Sequence, residues 1–589
     1  MGFKTPDFPP VDPATFGQQP RMERLRQLTL HWVDYGFGTP KIVHTIYIAK
    51  LVVLHGLLGA FLAWITSDIG SLGDIATWWR EPIFYQKLVL WTVFLEALGI
   101  AGAWGILCGH FKPQTGAFKY WLKPGTIRLN PFKWVPGTNG DSRTAFDVFL
   151  YAGILITAVL CVVLPGAHNG ELADTFARYG WSTHGTLISP VLLIIMMAFL
   201  VVAGLRDKTL FLAARGEQYV PVMFFSVVFG TMDMIVALKL LIVLVWVGAA
   251  ISKIGYHFSN VVSPMFSNAP IVVSRRFKRK MYRSFPEDLR PSHLTSFFAH
   301  IGGSMLECGG ALVLLFSTNR TVTIIAIIAM LTFHLVIIGM FALASPNEWN
   351  LLFGFTTATL FWNFPAEKGF GIGDMSSWWV TVLVIGGLLF FPILGNLVPD
   401  KVSFLPSMRQ YAGNWASAQW AFAPGAEAKI DEFIVKDSPQ QLKQLEATYP
   451  TAVAEIVLDQ TLAWRSMHSQ GRALFSLTMR HLGDKWESYS IREAEFANNA
   501  VIGWNFGDGH LHREDLVAAI QKRCNFEPGE FVVAWIESQA IFSKVQKYRI
   551  IDAALGVVER GSYKVKDAVN AQPWLPNGPI PINVEWTRS

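Results

Sequence analysis

Charge is scarce in this chain of 589 residues: Asp, Glu, Lys and Arg make up only 16%, against about a quarter in soluble proteins. With 52% hydrophobic residues and a mean hydropathy of +0.34, this excludes an ordinary water-exposed globule over most of the length. Cysteine is almost missing. Cys108, Cys161, Cys308 and Cys524 lack CxxC spacing. Three of them lie in or beside apolar segments, so they read as small buried hydrophobes and not as disulfides or a zinc site. No HExxH, P-loop, low-complexity linker or internal repeat is found. Without an inverted repeat or a matched pair of broken helices, a transporter has nothing to recommend it. An apolar h-region is lacking from the polar arm 1–42, so no signal peptide is expected.

What the chain has is long apolar runs. They lie near 43–66, 86–108, 146–165, 187–205, 221–253, 296–316, 321–345, 350–364 and 379–398. Most suit one helical crossing of a hydrocarbon layer about 30 Å thick. The 221–253 run is too long for one simple span and is interrupted by Gly230, Asp233 and Lys239; the 350–364 run is short. The fold class expected is an α-helical polytopic membrane protein with eight to ten membrane segments over 43–400. Residues 401–589 contain no run long enough to span. Their mixed charges, helical patterns at 439–448 and 512–524 and a strand at 531–535 predict a soluble α+β domain.

Basic residues gather in the N-terminal arm (Arg21, Arg24, Arg26, Lys41), the 110–143 loop, the 206–215 loop and, most densely, 274–283. The positive-inside rule places all four on the cytoplasmic face. For 274–283 this requires the 221–253 run to cross twice or re-enter; a single crossing would turn that loop outward and break the rule. The expectation is a multi-pass protein of a bacterial inner membrane, with the N-terminus and the C-terminal domain both cytoplasmic.

Ionisable groups stand where hydrocarbon is expected. His300, Ser304 and Glu307 fall at i, i+4 and i+7, one face of a helix, and His334 lies in the middle of the next apolar run. Such groups cost several kcal/mol at membrane depth unless paired or facing a polar cavity, so they mark a candidate functional site. Lys253 closes an apolar run. It reads either as a snorkelling helix-end lysine or as a desolvated base; Lys50, Lys87 and Lys239 look alike locally. The two histidines read as interhelical hydrogen-bonding groups or as ligands to haem or a metal, with no second ligand pair in support. Gly302-Gly303 and Gly309-Gly310 permit close helix packing or a ligand pressed against the helix. Asp233 and Glu96 are further intramembrane acids. His510 and His512, in Gly507-Asp508-Gly509-His510-Leu511-His512, read as a polar turn before a helix more readily than as metal ligands. The Asn319-Arg320-Thr321 sequon lies in a tight turn beside the membrane and is set aside.

These residues carry a resemblance. Leu-Ile-Val-Leu-Val-Trp-Val-Gly-Ala-Ala-Ile-Ser-Lys-Ile at 241–254 resembles the segment around the catalytic lysine of vitamin K-dependent γ-glutamyl carboxylase, within the HTTM (horizontally transferred transmembrane) family. Phe298-Ala-His-Ile-Gly-Gly-Ser-Met-Leu-Glu307, Asn319-Arg320, Thr332-Phe333-His334 and Ile338-Gly339-Met340-Phe341 follow in the same order, so the similarity covers about 235–345. The whole chain is also similar to a bacterial family of multi-span proteins of unassigned function. The resemblance implies Lys253 as a base acting on a reduced quinone, with His300, Glu307 (an aspartate in the carboxylase) and His334 around it. The carboxylase's glutamate-peptide region has no counterpart. The function expected is therefore a site for a hydrophobic ligand, quinone or lipid, with quinol-dependent oxygenase or carboxylase-like chemistry; the alternative is a non-catalytic scaffold in a lipid-handling or electron-transfer complex. Catalytic candidates are Lys253, His300, Glu307 and His334, and ligand-binding candidates Gly302, Gly303 and Ser304. No metal is assigned. Partners expected are membrane lipids, a hydrophobic small molecule and other membrane proteins, not nucleic acid. Glu307 and His334 are expected to face each other across the 296–316/321–345 hairpin. His300, about 10 Å from Glu307 along the axis, should join Lys253 nearer one membrane face.

Overall fold

A computed structural model describes residues 3–100, 118–343, 346–399, 402, 416–504 and 513–588. Among them, six helices are long and apolar enough to cross a membrane: Lys41–Ile65, Ala145–Val163, Thr231–Ser252, His293–Phe316, Arg320–Met340 and Trp378–Leu397. The chain is thus a polytopic helical protein, but these six do not reach the expected eight to ten. The reason lies in how the other runs end. Pro82 starts a helix that runs only to Ala97, 16 residues or about 24 Å, and the rest of that run enters 101–117, outside the described residues. The 221–253 run breaks at Gly230 into Gly216–Val228 and Thr231–Ser252. Pro190–Arg206 has 17 residues, and Pro346–Thr357 continues only briefly as the π-helical Ala358–Asn363.

Polar residues define the helix ends. Thr144 and Asp147 form a reciprocal capping box at the start of Ala145–Val163. The Asn319 side chain accepts from the amides of Thr321 and Val322, which explains the tight turn between the two helices of the central hairpin. Within that hairpin Gly310 lets the backbones approach: a Cβ there would stand 2.6 Å from Met330 Sδ.

The C-terminal region is built on a six-stranded antiparallel sheet in the order Asn583–Thr587, Gly556–Lys564, Val545–Asp552, Phe531–Ile536, Ser417–Phe422, Ser490–Glu493. The strand expected at 531–535 is therefore central. Its side chains alternate between two cores. Val532, Ala534 and Ile536 pack with Leu474 and Leu477, while Phe531, Val533 and Trp535 pack with Leu516 and Ile520. The expected helices appear as Gln441–Glu446 and Glu514–Cys524. The Gly507–His512 motif, Cys108 and the start of the C-terminal region (403–415) lie outside the described residues.

Three of the four basic segments touch this region, and so does the strand Asp288–Pro291 that follows the fourth, 274–283. Arg21 donates to Tyr489 O at 2.6 Å, and the Tyr120 hydroxyl to Ala500 O at 2.9 Å. Lys208 pairs with Asp515 at 3.6 Å, and the Leu289 amide donates to Gln572 at 3.1 Å. The loops at the opposite helix ends contact one another instead, as where Thr183 and His184 meet Glu81 and Ser376 meets Asp233.

Candidate functional site

Thr231–Ser252 ends at Lys253, whose ammonium stands 2.6 Å from Glu307 Oε2 in Leu306–Phe316. Both side chains are buried, and the rings of Phe258 and Phe333 lie 5.7 and 5.9 Å from Lys253 Nζ. The pair borders a cavity of about 290 Å³, otherwise mainly apolar, whose wall includes Trp246, Gly302, Gly303, Phe333, His334 and Asn350. His334 is buried there with Nδ1 2.7 Å from Asn350 Oδ1. Because Asn350 Nδ2 donates to Pro346 O, its Oδ1 is the acceptor, which assigns the imidazole proton to Nδ1. His334 Nε2 has no hydrogen-bond partner.

The structure thus brings Lys253, Glu307, His334, Gly302 and Gly303 to one cavity. It corrects the expected pairing, because Glu307 faces Lys253 and His334 faces Asn350. His300 and Ser304 are not among the lining residues. The cause is local. Phe298–Met305 is π-helical, so each turn takes more residues and the i, i+4, i+7 face drawn on an α-helix is rotated apart. Ser304 is buried with its hydroxyl unpartnered, and His300 is half-buried. With only one of the two histidines in the cavity wall, a bis-histidine haem site is not formed there, and among the described residues no group of three or more His, Cys, Asp or Glu is placed to hold a metal.

Lysines alike in sequence differ in surroundings. Lys87 donates to the carbonyls of Thr66 and Leu164 at 2.7 and 2.9 Å. Lys239 donates to those of Phe364 and Phe370. Both tie loops at helix ends. Lys50 pairs with Glu348 at 2.7 Å, and Tyr47 donates to the same oxygen at 2.8 Å. Asp233 accepts from the amide and hydroxyl of Ser376 and so anchors a loop. Glu96 meets Tyr219 at 3.3 Å and Arg215 at 3.9 Å.

Sequence reasoning missed Asn350 and Trp246. Asn350 heads an apolar run, where a lone amide is a usable signal; Trp246 is one of 22 tryptophans and has none. It also missed His257, four residues beyond Lys253, whose nitrogens reach Ser469 Oγ at 2.7 Å and Gln539 Oε1 at 2.6 Å. Burial against the C-terminal region pushes this imidazole down to about 4.

Comparison with known families bears on the whole chain. Residues 1–585 match a family described as "Transmembrane protein of unknown function (DUF3556)". The chain belongs to this family. No curated protein and no solved structure matches it. Membership supports the reading of a membrane protein and is silent on chemistry. These comparisons give no support to the HTTM or carboxylase resemblance.

Proposed function

We propose that the cavity beside Lys253 and Glu307 binds a hydrophobic ligand, a quinone or another membrane lipid. One observation carries the reading: an apolar cavity of about 290 Å³ is bordered by a buried charged pair, while two of its wall residues, Leu306 and Val336, are 38% and 50% exposed on apolar helices. An apolar tail along such a wall would displace no polar partner, and a polar head would meet Lys253. A binding role is favoured over proton abstraction because the Lys253 amine is engaged by Glu307 and does not stand free. Quinol-dependent oxygenase or carboxylase-like chemistry rests on sequence resemblance alone.

The second reading, a membrane scaffold, is favoured by the way the C-terminal region is tied to the helices through His257 and through Asn396, which accepts from the Ile541 amide at 2.9 Å. In either reading we place the shorter helices alongside the six long ones as an eight- to ten-segment bundle. Contact of three basic segments, and of the strand that follows the fourth, with the C-terminal region supports one shared face, cytoplasmic by the charge rule, in a bacterial inner membrane.

The test is purification followed by organic extraction and mass spectrometry. Wild type should retain one lipid or quinone species per chain. Lys253→Ala should lose it in the fraction that folds, a smaller fraction than for wild type because Glu307 is left buried without its cation. A wild-type protein that carries no such species, or a Lys253→Ala variant that retains it fully, overturns the binding reading.

A further inference from the structure

We infer that the ligand of this cavity carries an uncharged polar head and enters sideways from the bilayer, so that lipids with anionic heads are rejected. The inference rests on the binding reading above and narrows it to a chemical class.

The first support is charge balance. Apart from His334, the ionisable groups of the cavity wall are Lys253 and Glu307. At 2.6 Å they form an ion pair, whose two charges sum to zero. His334 donates from Nδ1 to Asn350 and is a neutral imidazole in this arrangement. A phosphate or carboxylate head would add a negative charge beside Glu307 with no cation left to meet it. Burying such a charge at membrane depth disfavours it by about a hundredfold or more. A hydroxyl, ester or quinone carbonyl adds no charge. It can accept from Lys253, which has three N–H donors and hydrogen-bonds Glu307 as its one partner among the described residues.

The second support is the mouth. Leu306, Thr332 and Val336 line the cavity yet are exposed, and they lie on His293–Phe316 and Arg320–Met340, adjacent apolar helices. The opening between them faces the medium that apolar helices face, which is hydrocarbon. Gly302 leaves room in the same wall, because a Cβ there would meet no atom within 4 Å. An amphiphile already dissolved in the bilayer has a path to Lys253 that never crosses water.

The experiment uses the full chain in phosphatidylcholine nanodiscs. They carry, at equal mole fraction, either a photoactivatable diacylglycerol or a photoactivatable phosphatidic acid with the same diazirine-bearing acyl chain. After illumination, labelled positions are read by peptide mass spectrometry. Diacylglycerol should label Phe333 about a hundredfold more than phosphatidic acid does, while both label the outward-facing Leu335. Gly302→Phe should remove diacylglycerol labelling at Phe333 and spare Leu335. Glu307→Gln, which leaves Lys253 as an unmatched cation, should bring phosphatidic acid to Phe333. Should that variant fold poorly, the ratio of the two probes at Phe333 in the wild type, and the loss of that label in Gly302→Phe, decide the inference. Equal labelling of Phe333 by both probes in the wild type overturns the uncharged-head inference and leaves the binding reading standing. Labelling of Phe333 by neither probe overturns both.

Discussion

In the C-terminal region, Arg492 lies between Glu427 and Glu455 and makes hydrogen bonds of 2.7 to 3.1 Å to both carboxylates. In the same region, Arg472 is buried and donates to the carbonyls of Ser466, Met467, Ala568 and Val569. In the helical bundle, Lys253 holds Glu307 through a single bond, at the edge of a cavity. Both regions bury charge, and they do so under different constraints. Every nitrogen of the two arginines is hydrogen-bonded, and their surroundings leave little for a ligand to satisfy. The lysine pair retains donors beside open space. Buried charge that is fully wired reads as structure, and buried charge that is paired but not saturated beside a cavity reads as a site.

Breaking the saturated arginine should have the largest effect. Arg492→Met strands two carboxylates and should lower stability by about 3–5 kcal/mol. Denaturant unfolding followed by tryptophan fluorescence checks it, and a loss comparable to that of an ordinary surface substitution would erase the contrast drawn here.

Next is pH at the junction of the two regions. His257 has its pKa lowered from 6.5 to about 4 by burial, so the folded state favours the neutral ring. The stability this gives is present above pH 6.5 and is lost as pH falls toward 4, by about 3 kcal/mol in all. Limited proteolysis near 257 across that range should show increasing cleavage as pH falls. His257→Gln should flatten the profile; an unchanged profile in that variant would exclude His257 as the cause.

At the site itself, Glu307→Ala leaves Lys253 buried without its acceptor and should cost about 1–3 kcal/mol. That is less than the loss of Arg492, because fewer bonds go with it. Thermal denaturation in detergent measures the difference, and a reversed order would mean that the cavity pair is the more structural of the two.

The smallest effects distinguish two glycines. Gly310→Leu must push against Met330 and should cost about 1–3 kcal/mol. Gly302→Ala, with no atom within 4 Å of the added methyl, should change stability by no more than about 0.5 kcal/mol. Equal costs would show that the wall at Gly302 is closed in solution.

The site was half legible. Glu307 and His334 stood out because ionisable groups inside apolar runs are costly and need a partner, whereas Lys253, locally like Lys50, Lys87 and Lys239, was singled out only by the sequence resemblance. The partners were not legible, since the choice of Asn350 for His334 depends on where Pro346–Thr357 packs. His300 was misplaced for a different reason. A run of apolar residues carries no mark of a π-helical turn, and one such turn moved the drawn face away from the cavity. In the C-terminal region, Ser417–Phe422 escaped notice because all six residues are buried, so the alternation that betrays a half-buried strand is absent.

By itself, then, the sequence determined the membrane class, the central hairpin and its turn, and the presence of buried charge needing compensation. Composition, run length and capping residues are local quantities, and a helix in hydrocarbon satisfies its own backbone without reference to the rest of the chain. The tertiary structure alone decided which lysine meets which acid, which helices fall short of a full span, and where the cavity opens. Those outcomes depend on contacts such as Lys253 with Glu307, 54 positions apart in the chain, and no local pattern encodes which distant side chain will arrive.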